Sequence, residues 1–204
     1  GTPDVLPVLG RIHNTLQESS GWHLEMLPPL ALSERQRLCE DRLAQVSKSL
    51  SDSQMTQLIQ APVCNSPLFL HLTIEELCLH ARHEALPTAL NALLACTDPG
   101  SLFISLLESS DKDYSAPRLA TRAACFIAAS RRGLTHGELA YLLEESLTTN
   151  SKIADHDLVP LLARLAPWCQ SSDGRLQLLH GILTAALQEN EEMESCRERI
   201  IWHF

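Results

Sequence analysis

The sequence predicts a mainly α-helical protein interrupted by one short β-hairpin near its C-terminal end. Three observations carry this expectation. Hydrophobic residues make up 45% of the chain and aromatics only 4%, with Leu and Ala dominant, which suits helix-on-helix packing better than a β-sandwich. Apolar residues recur at helical spacing between capping signals. The stretch from Gln170 to Glu189 breaks that rhythm. It turns on Asp173-Gly174, runs out through Leu176, Leu178 and Leu179, and delivers His180 to the start of another helix.

Taken in order, Thr2-Pro3-Asp4 opens a helix carrying Val5, Leu9, Ile12 and Leu16. Ser19-Ser20-Gly21 ends it. Trp22, Leu24 and Met26 then alternate as in a strand, stopped by Pro28-Pro29. A lone strand cannot satisfy its own backbone groups, so its sheet is expected upstream. Ser33 with Gln36 reads as a capping box for a helix burying Cys39, Leu43, Val46 and Leu50. Ser51 with Gln54 repeats the signal, followed by Met55, Leu58 and Ile59. Asn65-Ser66-Pro67 opens a third helix, with Leu68, Leu72 and Leu79 inward. Pro87 opens a fourth, carrying Leu90, Leu93 and Leu94. Asp98-Pro99-Gly100 breaks the chain before a fifth helix on Leu102, Phe103, Leu106 and Leu107 that fades at Ser109 to Tyr114.

A second pattern follows. Ser115-Ala116-Pro117 starts a helix with Leu119, Ala123, Phe126 and Ile127 inward, ended by Gly133. Thr135 and Glu138 form a capping box for a short helix with Leu139, Leu142 and Leu143. Thr148 to Ala154 reads as a loop. Leu158, Leu161, Leu162 and Leu165 form a third helix, with Pro160 in its first turn. The hairpin comes next, then a helix from Gly181 to about Asn190. Three helices, a hairpin and a further helix make a winged-helix order. The acidic run Glu189, Glu191, Glu192 and Glu194 reads as a solvated helix face.

Charge and cysteine usage bound the chemistry. The net charge of −9 over 204 residues argues against nucleic acid as the main partner, because phosphate binding needs a clustered cationic face. The predicted third helix of the winged helix, the one that would enter a DNA groove, offers one cation, Arg164, against Asp155 and Asp157. No stretch approaches the roughly 18 apolar residues of a membrane span, and no signal peptide is expected. Seven scattered cysteines without a CxxC read as reduced core thiols of a cytosolic protein. The missing initial Met and the helical pattern running to Phe204 read as those of a piece of a longer protein.

Four constellations merit weighing. Cys64, Cys78, His80 and His83 are zinc-ligand types, but the second ligand pair that tetrahedral zinc draws on is absent, so no metal site is expected. Glu75 and Glu76 are adjacent, point about 100° apart on a helix, and read as surface carboxylates rather than an acid/base pair. No activated nucleophile motif or Gly-rich phosphate loop occurs, so no catalytic residue is assigned. At Asn65-Ser66-Pro67-Leu68 two readings stand: a plain helix start, or a nucleotide contact at free N–H groups with Pro67 as a rigid apolar edge. At His180 two stand as well: a structural histidine, or a ring helping to hold an anion where strand meets helix.

In order and spacing these pieces resemble the C-terminal half of a STAND-type nucleotide-binding module, the AAA+-related NACHT and NB-ARC group of signalling ATPases. WHLEMLPPLALSER is similar to the last core strand and its exit in that group. CNSPLFLHLTIEEL resembles the lid motif whose proline packs on adenine. Pro67 matches that proline, with Asn65 in place of glycine. ASRRGLTHGELAYLL resembles the winged-helix entry, through Ser130, Gly133, Leu134, Glu138 and Leu139. LLHGILTAAL resembles the motif whose histidine contacts the β-phosphate. His180 matches it, with Leu179 in place of Met and Gly181 in place of Asp. CRERIIWHF is similar to the helix that leads towards C-terminal repeats in the nephrocystin-type and telomerase-associated subgroup, often fused to tetratricopeptide repeats.

The resemblance implies four parts: 1–31 as the tail of an α/β nucleotide-binding core, 32–113 as a helical lid, 114–190 as a winged helix, and 191–204 as the start of the following helical region. It implies ATP or ADP held mainly upstream, with Pro67, Ser66 and His180 as local contacts. Hydrolysis by this region alone is not expected, since the resemblance implies a P-loop and Walker B acid before Gly1. Implied partners are the upstream core, the downstream repeats, other proteins and a homo-oligomer. A ciliary location follows from the resemblance alone. The alternative is a non-catalytic helical scaffold or adaptor with a degenerate nucleotide site.

Overall fold

The computed structural model describes residues 28–79, 86–147 and 155–203. The expected helix and strand before Pro28, the residues His80 and His83, and the loop from Thr148 to Ala154 lie outside them. The described residues are mainly helical, with a small three-stranded antiparallel sheet.

The first part is a helical bundle: α1 (Leu32–Gln45), α2 (Asp52–Gln60), a 3-10 turn (Pro62–Asn65), α3 (Pro67–Leu79), α4 (Leu86–Leu94) and α5 (Pro99–Ser110). Helix α3 is its centre. It buries Phe69, Leu70, Leu72, Ile74 and Leu77, and packs against α1, α4 and α5. A helix apolar on most sides belongs inside a core. The start of α1 corrects the expected Ser33–Gln36 box. The helix begins at Leu32, and the Glu34 carboxylate accepts from the Ala31 N–H at 2.7 Å. Cys39 and Leu43 face inward as expected, but Val46 is the exposed C-cap residue and Leu79 is exposed at the end of α3. Ser51 and Gln54 do form a capping box, with Ser51 N donating to Gln54 at 2.8 Å. Asp98 breaks the chain and also starts α5: its carboxylate accepts from Gly100 N at 2.8 Å and Ser101 N at 3.0 Å.

The second part runs α6 (Leu119–Ala129), β1 (Leu134–Thr135), α7 (His136–Ser146), α8 (Asp155–Leu165), a 3-10 turn (Ala166–Trp168), β2 (Cys169–Ser172), β3 (Arg175–Leu178), α9 (Gly181–Leu187) and α10 (Glu191–His203). Helix α6 starts at Leu119, after Ser115-Ala116-Pro117 and a left-handed Arg118 with φ 56°. Its first N–H groups are capped from a distance: Asp111 accepts from Ala120 N at 2.7 Å and Thr121 N at 3.1 Å. The Thr135–Glu138 box is present, at 2.8 Å and 3.1 Å. Pro160 sits inside α8 rather than in its first turn, so one internal hydrogen bond is missing.

The hairpin turns where expected. Asp173 and Gly174 adopt φ 52° and 74°, the paired left-handed conformations of a two-residue turn that follows strand twist. Ser172 faces Arg175 and Cys169 faces Leu178. Leu179 lies just past β3, and its N–H donates to Trp168 O at 2.9 Å. The sheet gains an unexpected third strand. Leu134 pairs with Leu176 and Thr135 with Arg175, giving the order β1-β3-β2.

The final helix begins at Glu191, and α9 ends at Leu187. The acidic run is therefore not just a solvated face. Glu192 accepts from Arg122 at 3.0 and 3.4 Å, and Glu191 pairs with Arg118, pinning α10 to α6. The buried apolar residues form one continuous cluster from Cys39 to Cys196. Helix α5 joins its two parts, meeting α3 on one side and α6 and α9 on the other.

Candidate functional site

Ser66 and Pro67 stand at the start of α3, where the 3-10 turn ends. Pro67 occupies the first helical position, where its missing N–H costs nothing. It is exposed, and Ser66 is half-buried. The Ser66 hydroxyl accepts from Phe69 N at 3.3 Å, so it already serves as a helix cap. The Asn65 side chain is held by Arg35, a buried cation that also donates to Leu30 O at 2.9 Å and Ile59 O at 2.7 Å. Pro67 forms one edge of a groove between α1 and α3, about 340 Å³ in volume, with Leu38, Arg42, Leu70, His71 and Ile74 among its walls. Arg42 crosses the groove to grip both Glu75 oxygens, at 2.5 and 2.8 Å. That grip holds the Glu75 carboxyl below the usual glutamate range.

His180 caps α9 with an extended backbone, φ −135° and ψ 136°. Its side chain is exposed and makes no hydrogen bond or ion pair among the described residues. The position is well supported nonetheless. Leu183 and Leu187 are fully buried and seat α9 against α5 and α6. Leu183 N donates back to His180 O at 3.0 Å. A Cβ added at Gly181 would meet open space. No residue of the β3–α9 junction lines the Pro67 groove, so the described residues do not bring Pro67 and His180 into one cavity.

Glu75 and Glu76 correct the expectation of two surface carboxylates. Both are buried, at 7% and 8% exposure. They do point apart, and each meets its own arginine. Glu75 meets Arg42 on α1, and Glu76 meets Arg164 on α8 at 2.5 Å. Arg164 also donates to the Ser110 hydroxyl at 2.7 Å and lies 5.3 Å from the Trp168 ring centre. The single cation of α8 therefore faces the core, not a groove-reading surface. The sequence carried the acids and bases, but it held no signal for who would pair with whom.

The seven cysteines are free. Burial pushes the Cys39 thiol up to about 12 and the Cys64 thiol up to about 11, which disfavours the thiolate needed for nucleophilic or metal chemistry. No cluster of metal-ligand side chains occurs among the described residues, and no helix there is long and apolar enough to cross a membrane. The chain matches no protein-family model and no solved structure.

Proposed function

We propose that this region is the regulatory half of a nucleotide-dependent switch of the STAND type, closing over ADP or ATP bound by a core that precedes it. The observation that carries the reading is topological. Helix α6, strand β1, helices α7 and α8, and the β2–β3 hairpin follow in the order of a winged helix, with β3 central in the sheet. We read 114–190 as that winged helix and 32–113 as the lid. His180 is then the residue at the end of the wing that contacts the β-phosphate. Pro67 is the apolar edge against the base, at the margin of the groove of about 340 Å³ between α1 and α3. Closure favours the state in which both contacts are made, and nucleotide exchange shifts the population away from it.

The reading is supported by side chains left available. The His180 ring is exposed and uncommitted among the described residues, and Pro67 is exposed. A charge-assisted contact from His180 to phosphate contributes about 1.5–3 kcal/mol. The full-length protein carrying His180→Ala should therefore bind ADP about ten-fold or more weakly than wild type in a calorimetric titration. Unchanged ADP affinity removes the sensor role from His180.

A second reading, a scaffold with a degenerate nucleotide site, is favoured by the commitment of Asn65 to Arg35 and of the Ser66 hydroxyl to Phe69 N. In a scaffold the full-length protein binds neither ADP nor ATP. An upstream sequence lacking GxxxxGK[ST] points the same way.

A further inference from the structure

We infer a second binding site, for an acidic peptide segment bearing a bulky apolar side chain, on the face where the α6–β1 turn meets α10. It is independent of the nucleotide reading. A cavity of about 670 Å³ opens there, larger than the α1–α2 groove of about 530 Å³. Its apolar side is made by Ala129, Leu134, Ile200 and Ile201, and its rim by Arg131, Arg132, Arg175 and Arg197. Four arginines against one lining acid, Glu138, run against the −9 balance of the chain.

The four cations are not equivalent. Arg175 forks onto Glu138 at 2.9 and 3.2 Å, and Glu138 also accepts from Thr135 N, so this acid is fully occupied. Arg197 is shared with Glu194 at 3.4 Å and with Gln188. Arg131 and Arg132 are exposed and make no hydrogen bond or ion pair among the described residues. The backbone that carries them is held in place. The Gly133 carbonyl accepts from the Ser130 hydroxyl at 3.0 Å and from Arg175 at 3.0 Å, closing the turn that carries them. Gly133 itself, at φ 77°, lies so close to β3 that a Cβ would come within 2.6 Å of Leu176 O. The turn therefore fixes the backbone from which two exposed cations project, beside the apolar side of the cavity.

Charge complementarity selects the occupant. Two uncommitted guanidiniums match two carboxylates, and the apolar wall takes one large side chain between or beside them. A phosphate backbone is disfavoured, because a polyanion needs a longer cationic track and meets repulsion from the acidic remainder of the chain.

The test is selection of a random dodecapeptide phage library on the full-length protein, with counter-selection on the Arg131→Glu/Arg132→Glu variant. Both side chains are exposed, so the variant folds normally, checked by circular dichroism. The expected outcome is enrichment of peptides with two or more acidic residues around a Leu, Ile, Phe or Trp. Synthetic versions should bind wild type at least about ten-fold more tightly than the variant, and more weakly as salt rises. Replacing the apolar residue by Ser should cost a comparable factor. No enrichment, enrichment of neutral or basic sequences, equal binding to the variant, or tighter arginine-dependent binding of an oligouridylate than of any peptide each overturns the proposal.

Discussion

Glu76 of α3 and Arg164 of α8 meet at 2.5 Å with 9% and 14% of their side chains exposed, and they join the first, helical part of the fold to the second. The pair does not stand alone. Arg164 lies over Trp168, whose ring meets Phe103 edge-on at 5.2 Å, and His71 Nε2 reaches within 3.3 Å of Pro167 O nearby. Charged, aromatic and backbone contacts thus converge on the junction of α3, α5 and the turn after α8.

Breaking this pair should be costly. Glu76→Ala or Arg164→Ala leaves an uncompensated buried charge, at about 3–5 kcal/mol in urea unfolding. Replacing both by Leu should recover most of that loss, since the desolvation cost of both ions disappears with their attraction. A double variant no better than the singles would show that the Ser110 and Trp168 contacts of Arg164 matter more than the ion pair.

Gly133 and Gly174 should respond differently to alanine. Both have positive φ, 77° and 74°, so each pays about 1 kcal/mol for the left-handed backbone. A Cβ at Gly174 meets open space, while at Gly133 it comes within 2.6 Å of the Leu176 carbonyl. Gly133→Ala should therefore lower the thermal midpoint markedly more than Gly174→Ala.

Acid should destabilise the fold through identified carboxylates. Arg42 holds Glu75 below its ordinary value of 4.5, and the backbone N–H of Ser101 does the same for Asp98 below 3.8. Because the folded values lie below the unfolded ones, this stability is complete above the ordinary values. It is lost as pH falls through the lowered ones. The urea midpoint should hold above the ordinary values of 4.5 and 3.8 and drop as pH falls below them. Arg42→Met should flatten the profile.

Gly181→Asp should fold as well as wild type, since its Cβ is unobstructed and an acid at the first position of α9 faces the positive helix end. On the proposed reading the new carboxylate lies beside the phosphate that His180 contacts, so the full-length variant should bind ADP more weakly in the same titration used for His180. Unchanged binding counts against the proposed contact.

Alkylation of the native protein should spare Cys39, Cys64, Cys125 and Cys196, which are all buried. Mass spectrometry after iodoacetamide should find these four modified only once urea is added.

Local signals carried far along the chain. Ser51 with Gln54, Thr135 with Glu138, and Asp173-Gly174 each act within a few residues, and each appears where the pattern places it. Ser33 with Gln36 failed because Glu34, one turn into α1, reaches back to Ala31 first. The start of α6 departs from the sequence pattern because its cap, Asp111, comes from well before Leu119. Strand β1 leaves no mark in the sequence because two residues carry no periodicity; only β3 alongside makes Leu134 and Thr135 a strand.

Helix positions, the hairpin and most of the apolar core follow from the amino-acid order, because capping, turn geometry and amphipathic spacing are short-range effects. The partners of the charges do not. Glu75 and Glu76 look alike as neighbours in sequence, yet Arg42 and Arg164 reach them from opposite directions along the chain. The same holds for Arg131 and Arg132, which become the rim of a cavity only when α10 packs back against α6. Burial and the approach of distant helices decide which charges are neutralised inside and which are left to meet a partner.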